Sequence, residues 1–479
     1  MILCYNTHMS PKPKITFYGG VGVVTGANFL FEVAGKRLLV DCGLEQGTPE
    51  AEAHNRQLFP YDPASIDLLF ITHAHLDHVG RIGKLVKEGF RGTIYSTPET
   101  KALAELIMDD AVGLLAKEAE RHGVLPIYEA KDVIQALALW HTIPYHTPTE
   151  VVPMGENGGL NLYLKDAGHI LGSSMMEFTV TLAGEAGGKG ASDKRKVVFT
   201  GDLGNSPTPL LKNTEVITDA NYLIMESVYG DRNHEPVEER KAKLKRIITE
   251  SIKRGGVLVI PAFSLERTQV ILYELNSLVE TNQIPSVPIF VDSPLATKVT
   301  EIYKRSGQFF NAEAQSLIAG GDQLFNFPRL KFTVTTDESR HIQDKPGAKI
   351  ILAGSGMSSG GRVTHHEITY LPDPKSTILL VGYQSLGTLG RRIENGDKVV
   401  TISGQEVKVR AHVETIYGYS SHKDSDRLVA FVEDTAKTLK KVFVVMGEPK
   451  SSLFLAQKLR DNLDVNAVVP ERAVVYELD

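Results

Sequence analysis

Four groups able to bind a metal stand within six residues of this 479-residue sequence: His73, His75, Asp77 and His78, in the run HAHLDH. The run begins where an apolar segment, LLFIT, ends and opens a stretch with helical periodicity, LDHVGRIGKLVKEGF. On a strand, residues two apart share a face, so His73 and His75 point the same way, and the turn that follows can bring Asp77 and His78 alongside. Neutral imidazole and carboxylate suit a borderline cation such as Zn²⁺, and two neighbouring sites are geometrically open. A polar strand-end loop of satisfied histidines is the competing explanation, and four such residue types in six positions weigh against it. Asp41 in LLVDCG, His169 in AGHILGSS and Asp202 in VFTGDLG also stand at the ends of apolar runs. Taken singly, each reads as a turn-forming Asp or an ordinary satisfied histidine.

These residues need elements to carry them. From Ile15 the runs ITFYGGVGVV, NFLFEVAGKRLLVDCG and IDLLFITHAH read as a β meander with glycine turns, followed by a helix from Glu99 to about His122. The stretch LNLYLKDAGHILGSSMMEFTVTL reads as further strand, and AGEAGGKGASDKRK as a flexible surface hairpin. From about Leu211 to His412 the rhythm changes to short buried strands, each running through a turn into a helix, which builds a parallel sheet with ligands at its strand C-termini. In PAFSLERTQ, Ser264 is placed to N-cap a helix; in VDSPLA, Ser293 is the N-cap with Pro294 at the first helical position. The remaining strand, loop, helix, strand and helix are too short to stand alone and complete the first domain. The expected division is 1–210 and 413–479 for one domain and 211–412 for its insertion.

Bulk composition narrows the function classes. Hydrophobic residues at 42% and charged residues at 23% describe folded globular domains. A net charge of −6 offers no global attraction to nucleic acid, so a polyanion would need a local basic groove or metal ions. Two cysteines, Cys4 and Cys42, exclude a disulfide framework and fit a reducing cytosol. With neither a signal-like start nor a long apolar run, a soluble cytoplasmic protein without a membrane span is expected.

HAHLDH matches the HxHxDH signature of the metallo-β-lactamase fold, and Asp41, His169 and Asp202 follow in the family's order. The insertion resembles the β-CASP domain of RNA-processing nucleases, including relatives of the polyadenylation cleavage endonuclease. The likeness spans roughly Ile15 to Asn466 and is supported by MESVYGDR, PAFSLERTQ, VDSPLA, GSGMSSGGR and YGYSSHKD. It implies an α/β architecture, an αββα metallo-β-lactamase sandwich with an inserted parallel-sheet domain. It also implies that His73, His75 and His169 hold one zinc, that Asp77 and His78 hold a second, and that Asp202 bridges the two. Asp41 would orient a ligand or the activated water, Asp77 would also serve the catalytic set, and Glu226 would orient His422 as general acid. Arg267 resembles a phosphate contact. Ser264, Ser355, Gly356 and Ser421, in glycine and serine turns, would bind substrate through backbone N–H groups.

The implied activity is cleavage of RNA phosphodiester bonds, internally or from an end, by a metal-activated water. RNA is the implied partner, and a homodimer is a further partner state to test. One departure stands out: the family places a second-metal histidine in a VxxHG context, where this sequence reads Val444-Val445-Met446-Gly447-Glu448. A thioether is a poor replacement for imidazole on zinc, so the second site is expected to be weaker, with Glu448 or a water in the vacancy. The alternative reading is a catalytically impaired RNA-binding or scaffold relative.

Overall fold

The computed structural model describes residues 12–182 and 194–479. Alternating and continuous apolar runs produce three large sheets and a two-stranded one, in which Val399–Ile402 pairs antiparallel with Gln405–Lys408. The first has seven strands, in the order Val475–Glu477, Lys14–Phe17, Phe29–Val33, Lys36–Val40, Leu68–Phe70, Thr93–Ser96 and Trp140–Thr142. Its meander end is antiparallel, and from Lys36–Val40 onward the strands run parallel. The second sheet, also seven-stranded, runs Ala467–Val468, Lys441–Val444, Tyr222–Met225, Lys194–Phe199, Ser174–Thr181, Gly158–Asp166 and Thr149–Gly155. Between the two lies an aromatic core in which Phe17, Phe31, Phe70, Phe178, Phe199 and Phe443 are buried. Helices close the outer faces, completing a four-layer sandwich.

Local chemistry sets the element limits. The long helix Pro98–His122 starts on Thr97, whose side chain accepts from Thr100 N, with Pro98 at its first position, and it stops on Gly123 at φ 65°. The expected helical stretch after HAHLDH is two short helices, Leu76–Val79 and Ile82–Lys87, the second of them largely buried. Of ITFYGGVGVV only Lys14–Phe17 is strand; Gly20 and Gly22 take positive φ and turn the rest into a loop. Residues 183–193 of the low-complexity run lie outside the described residues, and its KRK tail is strand.

The third sheet is the expected parallel insertion, in the order Leu330–Phe332, Ile289–Asp292, Lys349–Ala353, Val257–Pro261, Thr377–Val381 and His412–Ile416. Its membership corrects the domain limits at both ends. Tyr222–Met225 pairs with Lys194–Phe199 and Lys441–Val444 in the sandwich, so the limit at 210 falls too early. His412–Ile416 pairs with Thr377–Val381, so the limit at 412 also falls too early. Buried parallel strands share one apolar pattern, and the pattern does not reveal which sheet they join. Two strands, Ala467–Val468 and Val475–Glu477, also follow the last helix, where none was expected. Among the described residues, no helix is long and apolar enough to cross a membrane.

Candidate metal centre

The loops at one end of the sandwich bring the predicted ligands together. Strand Leu68–Phe70 delivers His73, and His75 stands at the N-cap of Leu76–Val79. The loop after Lys36–Val40 crosses so closely that a Cβ on Gly43 would lie 1.5 Å from the carbonyl oxygen of Asp77, which demands glycine there. His169 comes from the loop between Gly158–Asp166 and Ser174–Thr181, and Asp202 from the end of Lys194–Phe199. An antiparallel bridge between Gly204 and His422 ties the C-terminal segment to the same end.

Donor atoms of His73, His75, His169 and Asp202 all lie within 4.8 Å of one another. His75 Nδ1 is 3.2 Å from both His73 Nε2 and His169 Nε2. Asp202 Oδ2 is 3.5 Å from His73 Nε2 and 3.6 Å from His169 Nε2. Ligands held about 2.0–2.2 Å from a shared tetrahedral centre stand roughly 3.3–3.6 Å apart, so these edges fit a zinc-sized cation.

The far nitrogens fix the tautomers. The Thr72 hydroxyl donates to Asp41 Oδ2 (2.8 Å) and so accepts from His73 Nδ1 (3.0 Å), which turns the His73 Nε2 lone pair inward. His169 Nδ1 donates to the Ser421 carbonyl at 3.3 Å. His78 Nδ1 donates to Asp41 Oδ2 at 2.7 Å. Asp41 also accepts from Thr72 N through Oδ1, at 2.8 Å.

His78 Nε2 lies 3.5 Å from Asp202 Oδ2 and 3.9 Å from Asp77 Oδ2, a looser set than the first. His78 Nε2 and Asp202 Oδ1 are both buried without a hydrogen-bond partner. Buried polar atoms left open are ones a further ligand or cation would satisfy, although Asp77, His78 and Asp202 do not form one of the groups whose donor atoms all lie within 4.8 Å among the described residues. Burial, with His73 beside it, pushes the His75 imidazole well below its ordinary range, and burial with His422 nearby does the same to His169. Burial alone would also lower His78, but the carboxylates of Asp202, Asp41 and Asp77 hold it well above the ordinary value. For Asp202 burial favours the neutral form, yet His78 and His73 hold its carboxyl well below the ordinary range.

Glu226, fully buried, accepts from His422 Nδ1 at 3.1 and 3.2 Å and from Leu203 N at 2.7 Å. Burial opposes charge on His422, but Glu226 outweighs it, with Asp202 adding, and lifts the imidazole to about 8. Asp202, Glu226 and His422 form another group with donor atoms within 4.8 Å, so His422 can meet a leaving oxygen or a second cation. Arg267 Nη2 donates to Ser421 Oγ at 3.2 Å, which places both beside His169.

Other expectations need correction. Met446 is 2% exposed, at φ 49°, and packs in the aromatic core; its sulfur would be 2.5 Å from a Cβ on Gly20. Together with Asp41, Thr72, His78 and Glu226 it lines a cavity of about 10 Å³. Glu448 does not fill the vacancy; its Oε1 accepts from the Tyr383 hydroxyl. Ser264 caps no helix, because Glu266 takes φ 64° and the helix starts at Arg267; the Ser264 hydroxyl instead pairs with Ser293 Oγ at 3.1 Å. Ser293 caps Pro294–Lys304 as expected. Ser355 N donates to the Gly360 carbonyl (3.2 Å) and Gly356 packs on Phe263. That turn also accepts from Gln384 Nε2 at the Gly356 carbonyl (3.2 Å) and from Gly390 N at the Met357 carbonyl (3.0 Å), and among the described residues no hydrogen bond joins it to the metal ligands. Thr72 was overlooked, although its place just before HAHLDH signals it. Arg240, beside Arg267, lies in a charged run that reads as solvated helix surface.

Comparison with known proteins agrees with this architecture. Residues 21–162 match the metallo-beta-lactamase superfamily, 268–393 a Beta-Casp domain, and 406–470 a Zn-dependent metallo-hydrolase RNA specificity domain. The chain is 35% identical over 446 residues to Ribonuclease TTHA0252 of Thermus thermophilus, covering 93% of this chain and 96% of that protein. It is 31% identical over 466 residues to transcription termination factor FttA of Methanosarcina mazei, covering 94% and 69%. A solved protein of unknown function from Enterococcus faecalis V583 superposes with a TM-score of 0.53 at 15% identity, covering 98% of this chain and all of that one, a likeness of fold.

Proposed function

We propose a function from the premise that this chain belongs to the β-CASP branch of the metallo-β-lactamase superfamily: it is a metal-dependent hydrolase that cleaves RNA phosphodiester bonds. The observation that carries the reading is the convergence of His73, His75, His169 and Asp202 beside the His422–Glu226 pair.

We assign zinc to the first site on its nitrogen-rich donor set and edge lengths. A second, weaker ion is assigned to Asp77, His78 and Asp202, supported by the open atoms His78 Nε2 and Asp202 Oδ1. The metal supplies Lewis acidity and lowers the pKa of a water towards neutrality. The chain's own residues do the rest. Asp41 and Thr72 hold the His73 and His78 rings in their binding tautomers. Glu226 holds a proton on His422 Nδ1, which leaves Nε2–H of the imidazolium to protonate the departing oxygen. Ser421, fixed by Arg267 and by its carbonyl bond to His169, joins this acid to the ligand set.

The test is metal analysis of the purified chain beside cleavage of a labelled RNA with and without chelator. Chelator-sensitive cleavage by metal-loaded protein is expected; bound but uncleaved RNA would favour the impaired scaffold that Met446 suggests. His422→Ala is expected to lower turnover about 10²- to 10⁴-fold with metal content intact. Loss of metal from that variant would instead make His422 a ligand. With two cysteines in the sequence and no possible disulfide framework, we place the chain in a reducing cytoplasm. Homodimer formation is checked by light scattering of the same preparation.

A further inference from the structure

The run MESVYGDR supplies Glu226 to His422, and the loop that continues from it, NHEP, returns to the segment carrying that histidine. Tyr229 bridges Asp424 in parallel register, Ser425 N donates to the Arg232 carbonyl at 3.0 Å, and Asn233 exchanges two hydrogen bonds with Asp426. His234 lies inside this clasp. Its main-chain N donates to Asp424 Oδ2 at 3.3 Å, and its ring Nε2 donates to the main-chain carbonyl of His422 at 2.9 Å. Among the described residues, no other hydrogen bond reaches that oxygen.

His234 Nδ1 is buried without a partner. A proton there would be an unsatisfied buried donor, so the ring carries its hydrogen on Nε2, aimed at the carbonyl. Tyr229 packs against this ring with centroids 4.4 Å apart, which fixes the direction of the bond. The neighbours of His422 are tied elsewhere: the Ser421 carbonyl accepts from Asn205 N at 2.8 Å, and Lys423 N donates to the Leu203 carbonyl at 2.9 Å. His422 N makes only a long contact, 3.4 Å, to Ser420 Oγ. Glu226 holds Nδ1 of the His422 ring, but one bonded nitrogen leaves the ring free to pivot about it. The direction of Nε2 then depends on the main chain from which the ring extends, and the His234 bond anchors that main chain.

We propose that His234 is a positioning residue for the general acid: by holding the His422 carbonyl it sets where the imidazole stands, so that Nε2–H meets the departing oxygen. The inference rests on the nuclease reading and deepens it. His234 itself touches neither substrate nor metal in this scheme, and its effect passes wholly through His422.

The experiment uses the metal-loaded full chain with His234→Phe, which keeps a ring and removes the donor, and His234→Gln, which returns an N–H at similar reach. Each protein is assayed on an oligoribonucleotide and on bis(4-nitrophenyl) phosphate, whose nitrophenolate departs without needing a proton. His234→Phe is expected to lower kcat on RNA about 10- to 100-fold, with KM and metal content unchanged. The loss on the small diester is expected to be much smaller, and His234→Gln to recover part of the RNA rate. Unchanged kcat on RNA, equal losses on both substrates, loss of metal, or a Gln variant no better than the Phe variant would overturn the proposal. If His234→Phe does not fold, the smaller His234→Leu is read in the same way.

A second readout needs no substrate. In protein carrying isotope-labelled histidine, the ring nitrogen resonances of His422, assigned by their absence from His422→Ala, are expected to move or broaden in His234→Phe and to return in His234→Gln. Resonances that stay in place in all variants would overturn the tether. If the wild type cleaves neither substrate, the nuclease reading fails, and the His422 resonances still decide whether His234 holds that ring in place.

Discussion

Two buried aspartates at strand ends, each surrounded by histidine and polar side chains, serve different ends. Asp292 closes strand Ile289–Asp292 of the inserted sheet and is fully buried. Its Oδ1 accepts from Arg362 and Thr333, both at 2.7 Å, and its Oδ2 from His366 at 2.7 Å and Ser339 at 2.6 Å. Asp202, 3% exposed, follows strand Lys194–Phe199 of the sandwich. Its Oδ2 faces three imidazole nitrogens at 3.5 to 3.6 Å, distances too long for good hydrogen bonds, and its Oδ1 has no partner. A carboxylate with four short donors is scaffold, and one ringed by convergent lone pairs awaits a cation. Satisfaction of polar atoms, rather than burial or residue type, separates the two.

The largest expected effect comes from Asp202. Asp202→Asn is expected to lose bound metal and detectable RNA cleavage, while the chelator-treated variant melts at or above the temperature of chelator-treated wild type. Metal analysis and calorimetry on one preparation check this. A chelator-treated variant that melts much lower would make Asp202 scaffold too. Asp292→Ala is expected to do the opposite, because it strands Arg362 and His366 without an acceptor. Its expected cost is about 3–5 kcal/mol in denaturant unfolding, with metal content per folded chain unchanged. An unaltered unfolding midpoint would sink the contrast.

How much of this was legible in the sequence follows the same division. HAHLDH announces itself because coordination needs particular side chains at short spacing, and His169 and Asp202 follow through the resemblance at comparable strand ends. Asp292 was invisible as a hub, since its donors Thr333, Ser339, Arg362 and His366 come from separate elements with no common pattern. The helix at Arg267 was seen, but its start was not, because local propensity does not foresee Glu266 at positive φ. The expected limit at 210 puts Tyr222–Met225 inside the insertion because continuous apolar runs look alike in either sheet. Met446 was legible as a substitution, but the place of its sulfur against Gly20 was not.

A smaller effect tests what holds the ligands. Asp41 contacts the centre only through His78 and Thr72, so it positions ligands and does not itself hold the metal. Asp41→Asn is expected to weaken metal affinity about 10- to 100-fold, read by competition with a chelating dye. Because Asp41 anchors His78 directly, the looser second site is expected to empty first. Equal loss from both sites would place the control at Thr72 instead.

The smallest effect is on acid stability. Burial favours the protonated form of Asp292, but its donors, His366 foremost, hold the carboxyl down to about 2, below an ordinary value near 3.8. A depressed folded-state pKa means that the unfolded chain binds more protons between those values. The stabilisation is therefore complete above about pH 4 and is lost as pH falls towards 2. Chelator-treated wild type and Asp292→Asn, unfolded in urea across pH 5 to about 2, are expected to converge in stability as the pH falls. Chelator treatment matters because the metal ligands also take up protons in acid, and that loss would otherwise mask the contribution of Asp292. A gap between the two proteins that stays constant down to pH 2 would show that the network around Asp292 stabilises by packing and not by charge.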